Sequence, residues 1–85
     1  PFPGLPDRRY YCRGVAFFAE IKTTNDKLTT QQFDFLRAEY EHMQTIFVGD
    51  RTALQVMLCE RRPSQWRQYG YEQLALVAAR GWRAT

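Results

Sequence analysis

The sequence predicts a single α/β domain in which a β-hairpin and a parallel crossover strand form one small mixed sheet flanked by helices. Three observations carry that expectation. Residues 8–12 and 15–22 are two aromatic and aliphatic runs either side of Arg13-Gly14, which reads as a hairpin. From Thr29 the apolar positions switch to helical spacing. A third apolar run, Ile46-Phe47-Val48, then returns, so strand, helix and strand follow one another as a right-handed crossover unit does. With 85 residues the chain is long enough for one domain, spanning 1–85, and one modest core.

Each element has its own signal. Pro1 to Pro6 holds three prolines and a glycine, a coil composition. Arg8-Arg9-Tyr10-Tyr11-Cys12 reads as the first strand and 15–22 as the second. Residues 23–28 form a polar loop. Thr29 stands as a helix N-cap with Gln32 three residues on, the capping-box spacing, and Phe33, Leu36, Tyr40 and Met43 make a buried stripe. Residues 44–48 are the third strand, closed by Gly49-Asp50. Asp50 or Thr52 caps a short second helix with Ala53, Leu54, Met57 and Leu58 apolar. Residues 61–70, containing Pro63, read as a basic, aromatic connection. Residues 71–80 read as a last helix, with Leu74, Val77 and Ala78 inward and Gly81 at its end.

Composition narrows the function. A hydrophobic share of 45% and an aromatic share of 15% exclude a disordered tail. No apolar run approaches the ~18–20 residues of a membrane span, and no secretory signal pattern is present. Cys12 and Cys59 lack CxxC spacing and read as free, half-buried thiols of a reducing compartment. One histidine, His42, and two scattered cysteines cannot build a tetrahedral zinc site, and a single histidine argues against chemistry that needs a His pair. The net charge of +3 is compatible with an anionic partner. Arg8-Arg9, and Arg61, Arg62 and Arg67 among Trp66, Tyr69 and Tyr71, interleave cations with aromatics, as suits phosphates and unstacked bases. For the second cluster a solvated loop with its aromatics in the core is an equal reading.

The charged end of the second strand is the chemical focus. Alternation puts Val15, Phe17, Ala19 and Ile21 on one face and Ala16, Phe18, Glu20 and Lys22 on the other. Glu20 and Lys22 therefore project together from Cα atoms ~6–7 Å apart. A two-residue Arg13-Gly14 loop makes Cys12 face Val15. The same register sets Asp7 opposite Glu20, with Cβ atoms ~5 Å apart. Like charges so placed need a third partner: Lys22, or a hard divalent cation such as Mg²⁺ or Mn²⁺. Two carboxylates, a metal and a lysine are a set for phosphodiester hydrolysis. The ordinary alternative is a hairpin end in which Glu20 pairs with Lys22 or Arg8.

Three stretches in order, "GLPD" at Gly4–Asp7, "FFAEIK" at Phe17–Lys22 and "NDKLTTQQ" at Asn25–Gln32, resemble the VRR-NUC nucleases of the PD-(D/E)xK superfamily. The likeness covers residues 4 to about 48. It implies a restriction-endonuclease-like core and a Mg²⁺- or Mn²⁺-dependent endonuclease acting on DNA phosphodiesters, branched DNA or Holliday junctions included; RNA is not distinguished. Asp7, Glu20 and the Ile21 main-chain carbonyl would bind the metal and Lys22 would be the catalytic lysine. Gln32 would point from the helix start toward the site, in competition with its capping role. Arg8, Arg9, Lys27, Arg61, Arg62 and Arg67 are the candidate nucleic-acid contacts. Family members usually carry an acidic residue on a helix before the Gly-x-Pro-Asp turn. This sequence begins at Pro1, so that helix is expected upstream or on a partner. Small stand-alone members resemble phage-encoded nucleases and dimeric resolvases, which implies an intracellular setting and a homodimer: the bacterial cytoplasm for a phage protein, the nucleus for a piece of a larger eukaryotic one. A reading from another class is a non-catalytic nucleic-acid-binding or assembly module on the same scaffold, relying on Arg61, Arg62 or Arg67.

Overall fold

The structure, a computed structural model, describes residues 8–23 and 25–83, the last two by backbone alone. Strands β1 (Arg8–Cys12) and β2 (Val15–Ile21) form the hairpin. A two-residue strand β3 (Leu28–Thr29) leads into helix α1 (Thr30–Glu41), then strand β4 (Thr45–Gly49) and helix α2 (Arg51–Glu60). A 3₁₀ turn at Pro63–Gln65 opens helix α3 (Trp66–Ala78), and strand β5 (Trp82–Arg83) follows. The main sheet has the order β1-β2-β4, with β1 antiparallel and β4 parallel to the central β2.

The expected small mixed sheet is therefore present. So is its register: Cys12 pairs with Val15 and Arg8 with Ala19. Arg13 and Gly14 have φ of 53° and 83°, the left-handed conformations that a tight hairpin turn needs, and a glycine at the second position adopts its conformation without strain.

Apolar residues of the two sheet faces build two clusters. On one face Phe17, Ala19 and Phe47 pack with Met57, Trp66 and Tyr69. On the other Ile46 and Val48 pack with Leu28, Leu36, Leu74 and Val77. α3 supplies residues to both clusters because it closes over β4. At its middle sits Gly70, where an added Cβ would lie 1.8 Å from the Ile46 carbonyl oxygen. Only a glycine admits that approach.

Three expectations change. The last helix begins at Trp66, not residue 71. Pro63 does not break it, since it stands in the first turn of the 3₁₀ segment where no N–H is needed. Met43 leaves the buried stripe: it follows the end of α1 with φ 67° and is 71% exposed. The loop over 23–28 ends in a strand, because buried Leu28 and Thr29 pair in parallel with Trp82 and Arg83. The cysteines are free, Cys12 half-buried and Cys59 exposed. Among the described residues no helix is long and apolar enough to cross a membrane.

Candidate functional site

β2 runs from an exposed turn into the middle of the fold, flanked on both sides by hydrogen-bonded strands. Its last residues inherit that burial. Glu20 is 3% and Lys22 5% exposed, the buried charged residues among those described. They share a face, as alternation requires, and Lys22 Nζ lies 3.9 Å from Glu20 Oε2. This is a Coulombic contact longer than a hydrogen bond. Removing two charges from water is costly, and attraction in a low-dielectric interior offsets the cost only in part. An interior that keeps both charges has a use for them or is stabilised by their mutual neutralisation.

The backbone fixes where this pair stands. Lys22 N–H donates to the Gly49 carbonyl at 2.8 Å, which ties the end of β2 to the end of β4. In one trans peptide group the C=O points opposite to the N–H, so the Ile21 carbonyl turns toward the β1 edge. Beyond β2 the chain is held by Asp26, whose Oδ2 accepts from Thr23 N–H and from Thr23 Oγ1, each at 2.9 Å. Arg80 donates to the Thr23 carbonyl at 3.0 Å from the far end of the chain. Sequence reasoning missed Arg80. A basic residue at the end of a surface helix is common, and its partner lies in a loop with no sequence signal of its own.

Lys22 borders a recess of about 320 Å³ at the ends of the parallel strands, lined also by Ile21, Thr23, Asp50, Arg51 and Thr52. Asp50 proves to be the cap of α2, its Oδ1 accepting from Ala53 N–H at 2.8 Å. Arg51 and Thr52 stand in the helix's first turn. The recess is thus bordered by Lys22, Arg51 and the positive end of a helix.

The other expected site residues divide. Asp7, the Gly4–Asp7 turn and the expected coil lie outside the described residues. Gln32 makes the capping box: its Oε1 accepts from Thr29 N–H at 3.0 Å, and Thr29 Oγ1 accepts from Gln32 N–H at 3.1 Å. That cap is what engages the Gln32 carbonyl oxygen. Arg8 pairs with Ala19 and so stands on the face opposite Glu20, which removes it as the alternative partner of that carboxylate. With Tyr10, Ile21, Arg51 and Leu54 it lines a wider cleft of about 750 Å³ beside α2. Arg9 is exposed and lies over the Phe18 ring at 5.0 Å. Lys27 is exposed, near Gly81.

The 61–71 cluster separates by depth. Trp66 and Tyr69 are core residues, with Trp66 Nε1 donating to the Arg61 carbonyl at 3.2 Å and Tyr69 Oη to the Ala53 carbonyl at 3.1 Å. Arg67 is half-buried, 4.0 Å above the Tyr40 ring, and donates to the Tyr40 carbonyl at the end of α1. Its surroundings are those of a structural contact. Arg61 and Arg62 are exposed, and Arg61 lies 5.2 Å from the Tyr69 ring centre.

Oxygen donors such as the Glu20 carboxylate and the Ile21 carbonyl suit a hard divalent cation. Among the described residues no three Asp, Glu, His or Cys side chains come together as a metal-binding group. A set built on Glu20 would draw its second carboxylate from Asp7. Compared with protein-family models, with curated proteins and with solved structures, the chain matches none of them.

Proposed function

We propose that the chain is a metal-dependent nuclease hydrolysing phosphodiester bonds of DNA, built on a restriction-endonuclease-like core. The observation that supports this reading is the buried Glu20-Ile21-Lys22 end of the central strand, with its carboxylate and ammonium on one face 3.9 Å apart. A surface salt bridge would stabilise as well without desolvating two charges. A hydrolytic site has a reason to do so, because electrostatic stabilisation of a transition state is strongest where water is excluded.

In this reading Asp7, Glu20 and the Ile21 carbonyl would hold Mg²⁺ or Mn²⁺. Such an ion, when bound, polarises a phosphoryl oxygen and lowers the pKa of bound water. Lys22 donates hydrogen bonds to the attacking water or to the phosphoryl oxygens on which negative charge develops, reaching them from the recess it borders. Structure-specific cutting of branched DNA and a homodimer belong to the proposal through the VRR-NUC resemblance alone.

The test is titration of Mn²⁺ by calorimetry into wild type and Glu20→Gln, with cleavage of linear and branched DNA followed in parallel. The reading expects binding and cleavage in the wild type and neither in the variant. Cleavage unchanged in a folded Lys22→Met variant would overturn it. A second reading, a non-catalytic nucleic-acid-binding module, draws on the exposure of Arg61 and Arg62. It expects salt-sensitive binding that needs no metal and weakens in Arg61→Gln/Arg62→Gln.

A further inference from the structure

The net charge of the chain is not spread evenly. Arg8, Arg9 and Arg13 are three of its 12 basic residues, and none of its nine acidic residues lies between positions 8 and 19. The other nine basic residues are matched by the nine acidic ones. Residues 8–19 therefore carry a formal +3, and the rest of the chain is formally neutral.

That hairpin also presents an aromatic ring to solvent. Tyr11 is 77% exposed, the most exposed of the large hydrophobic residues among those described. It pairs with Ala16, and Arg9 pairs with Phe18, so Tyr11 and Arg9 share the sheet face that carries Glu20. α1 reaches that face at Phe18, whose ring meets Phe35 edge-on at 5.3 Å, and leaves Tyr11 uncovered. The Arg9 guanidinium carbon lies 5.0 Å from the Phe18 ring centre, a cation–π contact made by a side chain that is otherwise exposed. An exposed cation over one ring, a second ring open to solvent and no acidic residue between positions 8 and 19 form a pattern that takes a phosphate and an unstacked base together. A single exposed tyrosine alone needs no explanation. Its position beside an exposed arginine, on a segment that carries a formal +3, gives it one.

We propose that this face of the hairpin is a stacking platform for single-stranded nucleic acid, with Tyr11 under a base and Arg9 on the adjoining phosphate. Ala16, opposite Tyr11, precedes Glu20 by four residues on β2, or ~13 Å. A strand lying along the face from Tyr11 runs toward the Glu20–Lys22 end. As the substrate class of that site, unpaired nucleotides beside the cut, the proposal rests on the hydrolase reading; as a binding surface it does not.

The experiment is fluorescence anisotropy of a labelled twelve-nucleotide oligo-dT, its oligo-rU counterpart and a duplex of equal length, in EDTA at two salt concentrations. The wild type is expected to bind both single strands more tightly than the duplex. Tyr11→Ala is expected to weaken single-strand binding about 5- to 150-fold, the range for loss of one stacked base, while Tyr11→Phe retains it. Arg9→Gln is expected to lower the salt slope by about one counterion. Duplex bound as tightly as single strands, or Tyr11→Ala binding like wild type, overturns the proposal. So does a Tyr11→Ala variant that changes only the sedimentation coefficient, since the face then serves a second copy of the chain. The binding is read without metal. A protein that binds and never cuts with Mn²⁺ removes the hydrolase reading alone, and one that cuts while Tyr11→Ala binds normally removes the platform alone.

Discussion

Lys22 Nζ stands 3.9 Å from Glu20 Oε2 with 6% and 3% of the two side chains exposed. Because both are buried, either single substitution takes from the remaining charge an opposite charge 3.9 Å away. Lys22→Met or Glu20→Gln is expected to lower the unfolding free energy by ~3–5 kcal/mol, the usual cost of breaking a buried pair, and the double variant to recover most of it. Urea denaturation of the four proteins measures this. The same cycle bears on function. A pair kept only for stability can be replaced without losing activity, whereas a hydrolytic pair leaves the double variant folded and inert. Singles that cost under ~0.5 kcal/mol would place the charges in a far wetter setting than their burial implies.

Gln32 offers a way to separate a cap from a catalytic group. Its side chain closes the box with Thr29 at the start of α1. Thr29→Ala is expected to cost ~1 kcal/mol. Gln32→Glu should keep the box, since a carboxylate accepts the Thr29 N–H equally well. If the Gln32 amide also serves the proposed site, Gln32→Glu lowers cleavage while leaving the melting temperature within a degree or so of wild type. Equal cleavage in a stable Gln32→Glu protein would leave Gln32 a cap and nothing more.

Gly70 should be intolerant of the smallest side chain. A Cβ there would meet the Ile46 carbonyl oxygen at 1.8 Å, and that atom belongs to the backbone of a core strand that cannot step aside. Gly70→Ala is expected to destabilise by ~3 kcal/mol or more, at or beyond the upper end for overpacking, although alanine favours a helix. Chemical denaturation of the variant checks it.

What the sequence revealed, and what it hid, follows the range of each interaction. The hairpin register, the Thr29 cap and the shared face of Glu20 and Lys22 depend on residues a few positions apart, and all three were readable. The start of α3 was hidden because Pro63 and Gly70 look like helix breakers. Their actual reasons are a first-turn position and a close approach to Ile46, which is 24 residues away. The pairing of Leu28 with Trp82 was hidden for the same reason. The contact of Arg67 with Tyr40 was hidden too, because the two are 27 residues apart and nothing local signals it. The depth of the Glu20–Lys22 pair was also out of reach. Alternation gives the face, and only the packed fold says how much water is left on it.

Arg67 should behave as a structural residue. It lies 4.0 Å above Tyr40, which itself stacks on Tyr71 at 4.4 Å, and it donates to the Tyr40 carbonyl. Cationic donors at a helix C-terminus are favourable, and the planar guanidinium is what permits stacking and donation together. Arg67→Ala is expected to cost ~1.5–3 kcal/mol, the range for a hydrogen bond from a charged group. Arg67→Lys should regain only part, since an ammonium cannot stack as a plane. If Arg67→Ala weakened oligonucleotide binding with no change in stability, the structural assignment would fail.

Tyr69 supplies a pH signature. Burial pushes its phenol above the ordinary value of 10.0, the Arg61 charge opposes that rise, and Asp50, Glu60 and Glu72 add to it. At high pH the unfolded chain therefore releases this proton before the folded chain does, so raising the pH favours unfolding. The contribution of Tyr69 is fully present below about pH 10 and is lost as the pH climbs from there through the folded value. Tyr69→Phe has no such proton. It should be less stable at pH 8 by ~1 kcal/mol, having lost the hydrogen bond to Ala53, and the gap should narrow as the pH passes 10. Melting temperatures of the two proteins from pH 8 to 11 would show converging curves. Parallel curves across that range would mean that the Tyr69 hydroxyl titrates in the folded chain as it does in the unfolded one.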